Sequence, residues 1–293
     1  MAIEIERVGA TKDRLGEGPL WDVAEAALFW VDPLGQMIHR LDPATGALTE
    51  WAVPGVIGSL ALRLGGGAVI ALESGLHTFD FTTGGARPLV DPEADQPLTR
   101  FNDAKVDRQG RLIVGSMVRD RDKRDQALGS LYRLDPDHAL SVLDTGIMVS
   151  NGPCFSPDGA TLYFSDSPRR KIFAYPYDTA TGTVGERRVF FDTEPLDTAP
   201  DGGTVDSQGF VWSALVRSGR VGRVAPDGTL DRRIEIPARH PSSVMFGGAN
   251  LDVLYVTSIS EPLSDDEPGA QAGALFAIHG LGIKGLLEPR FAG

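Results

Sequence analysis

Six side chains able to ligate or hydrogen-bond recur at one register along this chain: Glu17, Ser59, Asn102, Asn151, Asp201 and either Ser242 or Ser243. Each stands 10 to 12 residues before a short run of high strand preference, at 28–31, 69–72, 112–114, 162–164, 211–214 and 254–257. Carboxylates and amides gathered in an apolar-walled space carry a large desolvation cost, which a bound cation removes. Oxygen-only ligation by two carboxylates and an amide suits Ca²⁺, Mg²⁺ or Mn²⁺; Zn²⁺ or Fe²⁺ is less typical without His or Cys. Three protein ligands leave coordination positions open, as catalytic sites do.

A shared register needs a repeating element to hold it. The six runs start 41, 43, 50, 49 and 43 residues apart. Each is followed by a second strand, at 37–41, 75–79, 129–134, 171–175, 220–224 and 273–278, most of them ending in Asp-, Pro- and Gly-rich turns. A period of ~40–50 residues built only of short strands predicts a propeller with one blade per repeat. The expected fold is therefore all-β, a six-bladed β-propeller with a central metal site, as a single domain over residues 1–293. The segment 3–8 is expected to add a strand to the last blade and close the ring. Short helical pieces are compatible with 92–99 and 120–127. The strand after each ring position would be the innermost of its blade, bringing the six side chains to one mouth of the channel. Small residues bracket three of them, in Gly16-Glu17-Gly18, Asn151-Gly152 and Asp201-Gly202, and allow close backbone approach. The competing reading is ordinary Asx-Gly turns, which fits Asp158-Gly159 and Asp227-Gly228, both outside the register.

Composition narrows the partners. A net charge of −12 argues against nucleic acid and anionic membrane surfaces, and no apolar run approaches a membrane span. The first six residues lack a signal-peptide pattern, and the single cysteine, Cys154, can form no internal disulfide, so a cytoplasmic location is expected. Cys154 falls in an apolar strand and reads as an inert core thiol. His39 and His77 read as packed or edge residues, and His240 either packs or lines the mouth. There is no Gly-x-Ser-x-Gly elbow, His-Glu-x-x-His, Cys-x-x-Cys or phosphate loop, and Trp21 stands where a dinucleotide fingerprint begun at Gly16 would need its last glycine.

The segments Leu15-Gly16-Glu17-Gly18-Pro19-Leu20-Trp21, Arg100-Phe101-Asn102-Asp103-Ala104-Lys105-Val106-Asp107, Ser150-Asn151-Gly152-Pro153, Pro200-Asp201-Gly202 and Phe246-Gly247-Gly248 together resemble the gluconolactonase/regucalcin (senescence marker protein) family, including bacterial sugar-acid lactonases. The resemblance implies that Glu17, Asn151 and Asp201 hold one divalent cation, that Arg100 and Asn102 contact substrate, and that Asp120 binds substrate. Asp120 also reads as part of a solvated charged loop, Arg119-Asp120-Arg121-Asp122-Lys123-Arg124-Asp125. After Ala214-Leu215, where the family often places Trp or Tyr, this chain has Val216-Arg217.

The expected activity is hydrolysis of a sugar-derived lactone such as a glucono-, xylono- or arabinonolactone. The cation would polarise the carbonyl, Asp201 would take the proton of the attacking water, and Arg100 and Asn102 would hold the polar edge. The partner is a small-molecule lactone, with no nucleic acid and no membrane, and the chain is expected to be a monomer. Two alternatives stand: a non-catalytic calcium-binding propeller, and a metal-dependent esterase or organophosphate hydrolase.

Overall fold

The six apolar runs form the second strands of six four-stranded antiparallel sheets: Ala27–Asp32, Ala68–Leu72, Leu112–Val118, Thr161–Asp166, Val211–Val216 and Val253–Ser258. A computed structural model describes residues 2–263 and 269–293. The first strands are Glu17–Asp22, Ile57–Leu62, Thr99–Val106, Ser150–Phe155, Ala199–Val205 and Pro241–Gly247. Each packs against the first strands of both neighbouring sheets, and the last meets the first, so they are the inner ring of a six-bladed β-propeller.

Closure follows the sequence expectation. Glu4–Val8 pairs antiparallel with Leu275–His279, from Glu4 opposite His279 to Val8 opposite Leu275, and is the outermost strand of the sixth blade. One blade is thus built from both ends of the described chain, which locks the ring.

Buried side chains form six apolar clusters, each between two neighbouring blades. Phe29 and Val31 meet Leu60 and Ile70 between blades one and two, and Trp212 and Val221 meet Phe246 and Phe276 between blades five and six. Each such side chain stabilises the ring by about 1.5–3 kcal/mol relative to exposure. Interleaving of this kind explains why the central strands are apolar on both faces.

Two buried carboxylates at blade turns are paired with arginine. Asp107 accepts from Arg111 Nε at 2.6 Å and from the Tyr177 hydroxyl at 2.6 Å; Asp206 accepts from Arg223 Nε at 2.8 Å and Trp212 Nε1 at 2.9 Å. Cys154 is buried and its thiol is pushed up to about 12, chiefly by burial, so it is inert as expected. His39 is buried against Trp30, between Asp13 and Glu50, and His77 is packed with its Nδ1 at 3.1 Å from Gly75 O. The only helical turns among the described residues are three-residue ones at Arg121–Lys123, Ser167–Arg169 and Glu194–Leu196. The first lies in 120–127; the stretch 92–99 has turns and no helix. Among the described residues no helix is long and apolar enough to cross a membrane.

Candidate active site

In all six blades the inner strand breaks its pairing register at or beside the ring position: between Glu17 and Leu20, Ile57 and Ser59, Phe101 and Ala104, Asn151 and Cys154, Pro200 and Gly203, and Pro241 and Ser243. Such bulges re-aim side chains away from the ladder. Glycine makes two of them possible. Gly18 and Gly152 have φ of +54° and +52°, and a Cβ on Gly152 would lie 2.6 Å from the Asp201 carbonyl oxygen.

These bulges place Glu17, Arg100, Asn102, Asn151 and Asp201 on the wall of one cavity of about 650 Å³. Four of the five are almost wholly enclosed, at 7 % exposure for Glu17, 8 % for Arg100, 5 % for Asn151 and 8 % for Asp201. The ring serines serve the scaffold instead. Ser59 Oγ donates to Asn102 O at 2.7 Å and Ser242 Oγ donates to Gly16 O, each tying one inner strand to the next. Ser243 lines a separate small cavity of about 40 Å³.

A hydrogen-bonded chain fixes the polar wall. Arg100 Nη1 donates to Phe101 O at 2.7 Å and to Asn102 Oδ1 at 3.0 Å; Asn102 Nδ2 donates to Ser150 O at 2.8 Å and Asn151 Oδ1 at 2.6 Å. Asn151 Nδ2 donates to Ser167 Oγ at 2.7 Å, and that hydroxyl donates to Pro200 O at 2.6 Å, beside Asp201. Asn102 therefore lines the cavity with its amide engaged on both sides. It orients Arg100 and Asn151.

Asp120, expected at the substrate, is not on the cavity wall. It is exposed, accepts from Asp122 N at 3.1 Å to cap the turn Arg121–Lys123, and pairs with Lys123 at 3.4 Å. The backbone donors of its own loop hold it, and Arg121 and Arg124 from that loop reach the cavity in its place. His240 is fully buried and does not line this cavity. Val216 and Arg217 do line it.

Asp103 is the residue that the sequence reading passed over. It is 5 % exposed, its Oδ2 accepts from Gly152 N at 2.8 Å, and its Oδ1 is buried without a hydrogen bond. The signal was its place beside Asn102 at a bulge. Burial raises all three acids, and repulsion from neighbouring acids raises Glu17 and Asp201 further. Glu17 sits well above its ordinary value through burial, then Asp201 and Asp103; Asp201 does so through burial and Asp103; Asp103 is raised to about 6 by burial. Arg100 is lowered to about 10, first by burial and then by Arg124.

Among the described residues no group of three or more His, Cys, Asp and Glu side chains is arranged to hold a metal ion. The candidate set is two carboxylates and an amide oxygen, and its chemistry fits a hard dication: both acids are buried and mutually repelling, and the Asn151 oxygen accepts only one hydrogen bond, leaving a lone pair.

This cluster gives a pH prediction. Unfolded, these acids titrate near ~4; folded, they hold protons to higher pH, so their contribution to metal-free stability falls as pH rises from about 4 through and beyond about 6. A dication competes with those protons. The rise in melting temperature on adding divalent metal should therefore be larger at about pH 8 than at about pH 5. An equal or smaller rise at the higher pH would contradict the cluster as the metal site.

Comparison with known proteins gives a consistent answer. A family model described as "SMP-30/Gluconolactonase/LRE-like region" matches residues 15–260. The chain is 38 % identical over 282 residues to the 6-deoxy-6-sulfogluconolactonase of Pseudomonas putida, covering 95 % of each chain. It is 36 % identical over 280 residues to the pentonolactonase XacC of Haloferax volcanii, covering 94 % of each. Among solved structures it superposes with a TM-score of 0.91 on a calcium-binding protein, regucalcin, of Agrobacterium tumefaciens, at 32 % identity, covering 98 % of this chain and 97 % of the other.

Proposed function

The chain belongs to the SMP-30/gluconolactonase/LRE-like family, and from that premise we propose that it is a hydrolase opening a sugar-derived lactone to its hydroxy acid with the help of one divalent cation. The observation that carries this reading is the meeting of Glu17, Asn151 and Asp201, from three different blades, with Arg100 in one cavity large enough for a sugar. The substrate class follows the names of the relatives, which are a sulfogluconolactonase and a pentonolactonase. Glu17, Asn151 and Asp201 would hold the cation, which when bound supplies Lewis acidity toward the lactone carbonyl.

The chain's own groups do the rest. Arg100 has spent Nη1 on Phe101 and Asn102, which leaves Nε and Nη2 to donate to substrate oxygens. Asn102 keeps that guanidinium and the Asn151 amide in register. Asp201, on the cavity wall, accepts the proton of water as the water oxygen bonds to the carbonyl carbon. It returns the proton to the ring oxygen as the C–O bond breaks. We read the enzyme as a monomeric single-domain propeller acting on a free small molecule in the cytoplasm.

The solved calcium-binding relative favours a second reading, a cation-binding propeller without catalysis. A panel of five- and six-carbon aldonolactones, aryl esters and organophosphates separates the readings. Turnover of at least one aldonolactone, with kcat/KM above that of every ester and organophosphate, is expected. Metal binding with no turnover of any member would favour the scaffold, and preferred hydrolysis of aryl esters or organophosphates would move the activity to that class.

A further inference from the structure

In a chain of net charge −12, seven arginines and four carboxylates line the active-site cavity among the described residues. Some of these cations have partners. Arg14 pairs with Glu261 at 3.0 Å, Arg119 with Glu73 at 3.0 Å and Arg170 with Asp197 at 3.1 Å, and Arg121 donates to Pro262 O at 3.1 Å. Arg100 is held at one nitrogen. Two arginines remain. Among the described residues, the side chains of Arg124 and Arg217 make no ion pair and no hydrogen bond.

Arg124 lies between the strands Leu112–Val118 and Gly129–Leu134, on the loop that also carries Arg121. Its Nε is buried with no partner, and its charge is felt by Asp201, Arg100 and Arg121. Burial first, then Arg121, lowers its affinity for a proton. The one nearby acid, Asp201, is committed in our reading to the cation, and Glu17 and Asp201 together only neutralise a dication. Arg100 also faces Asp103, so Arg124 is left as uncompensated positive charge beside the reacting group. Arg217, at the turn after Val211–Val216, adds another at the solvent side, held at φ +69°. A half-buried guanidinium whose Nε is buried without a partner is matched by a carboxylate, sulfonate or phosphate, which it binds through two parallel hydrogen bonds.

We propose that the lactone opened here carries an anionic group on its tail, away from the ring carbonyl, and that Arg124, with Arg217 at the rim, binds that group. The inference rests on the lactonase reading and narrows its substrate class. A neutral sugar lactone would leave the Arg124 fork without an acceptor.

The test uses one six-carbon lactone with a hydroxyl, sulfonate, phosphate or carboxylate at its terminal carbon. At least one anionic member should exceed the neutral lactone in kcat/KM by about tenfold or more, and its advantage should shrink with added salt as surface steering is screened. Arg124→Gln should cut kcat/KM for that member by roughly 10–100-fold, as loss of a charged hydrogen-bond pair does. The neutral lactone should lose far less, so the preference collapses. Arg124→Lys should keep part of the preference, since the charge stays and the fork goes. Which anionic member leads identifies the acid. Neutral turnover as efficient as anionic, or an equal loss on both substrates in Arg124→Gln, overturns the inference and leaves lactonase activity intact. Turnover of no member overturns the lactonase reading and this inference with it.

Discussion

Asp201→Asn should fold normally, keep its melting temperature without metal or raise it, and lose lactone hydrolysis by at least about a hundredfold. Asparagine has the same shape, and its amide oxygen can still accept the hydrogen bond that the Gly202 N–H gives Asp201. What the carboxylate brings to the metal-free fold is a cost. It is 8 % exposed, and burial and Asp103 push its pKa upward, so ionising it there is unfavourable. Removing the charge relieves that cost, which is the usual trade of stability for activity at a working site. Removing a general base costs typically ~10²–10⁴-fold in rate, and here a ligand charge goes with it. Glu17→Gln separates the two roles. It also removes one anionic ligand but leaves the base, so excess metal should restore part of its activity and should not restore Asp201→Asn. Near-native turnover by Asp201→Asn would remove it from the mechanism.

The blades were legible because neighbouring sheets interleave. A strand buried on both faces must be apolar throughout, so runs such as 28–31 and 211–214 stand out at a fixed period. The outermost strands, Ala47–Ala52 and Leu230–Glu235 among them, did not stand out. Ala47–Ala52 faces solvent along most of its length, and in Leu230–Glu235, whose burial does alternate, only Leu230 and Ile234 are apolar, too few to mark a strand.

The site was legible in register and not in detail. Glu17, Asn102, Asn151 and Asp201 share a position before the strand, and the fold brings them to one cavity. The serines share the register too, but a short hydroxyl is consumed by the backbone of the neighbouring blade: Asn102 O for Ser59 and Gly16 O for Ser242. No spacing rule marks a bulge, which is why Asp103 went unassigned although it sits among the acids. The charged loop was the hardest stretch. In Arg119-Asp120-Arg121-Asp122-Lys123-Arg124-Asp125 every residue is polar, so pattern alone cannot tell that Asp120 caps a turn while Arg124 turns inward.

The central claim is that Glu17, Asn151 and Asp201 hold a cation that lactone hydrolysis requires. The most direct measurement strips the protein with chelator, confirms by elemental analysis that no divalent metal remains, and assays the best aldonolactone before and after adding back Ca²⁺, Mg²⁺, Mn²⁺ or Zn²⁺. The stripped protein should lose activity by at least about a hundredfold, since the carbonyl then lacks several kcal/mol of charge stabilisation. One equivalent of a suitable cation should restore it. Undiminished hydrolysis by demonstrably metal-free protein would contradict the account.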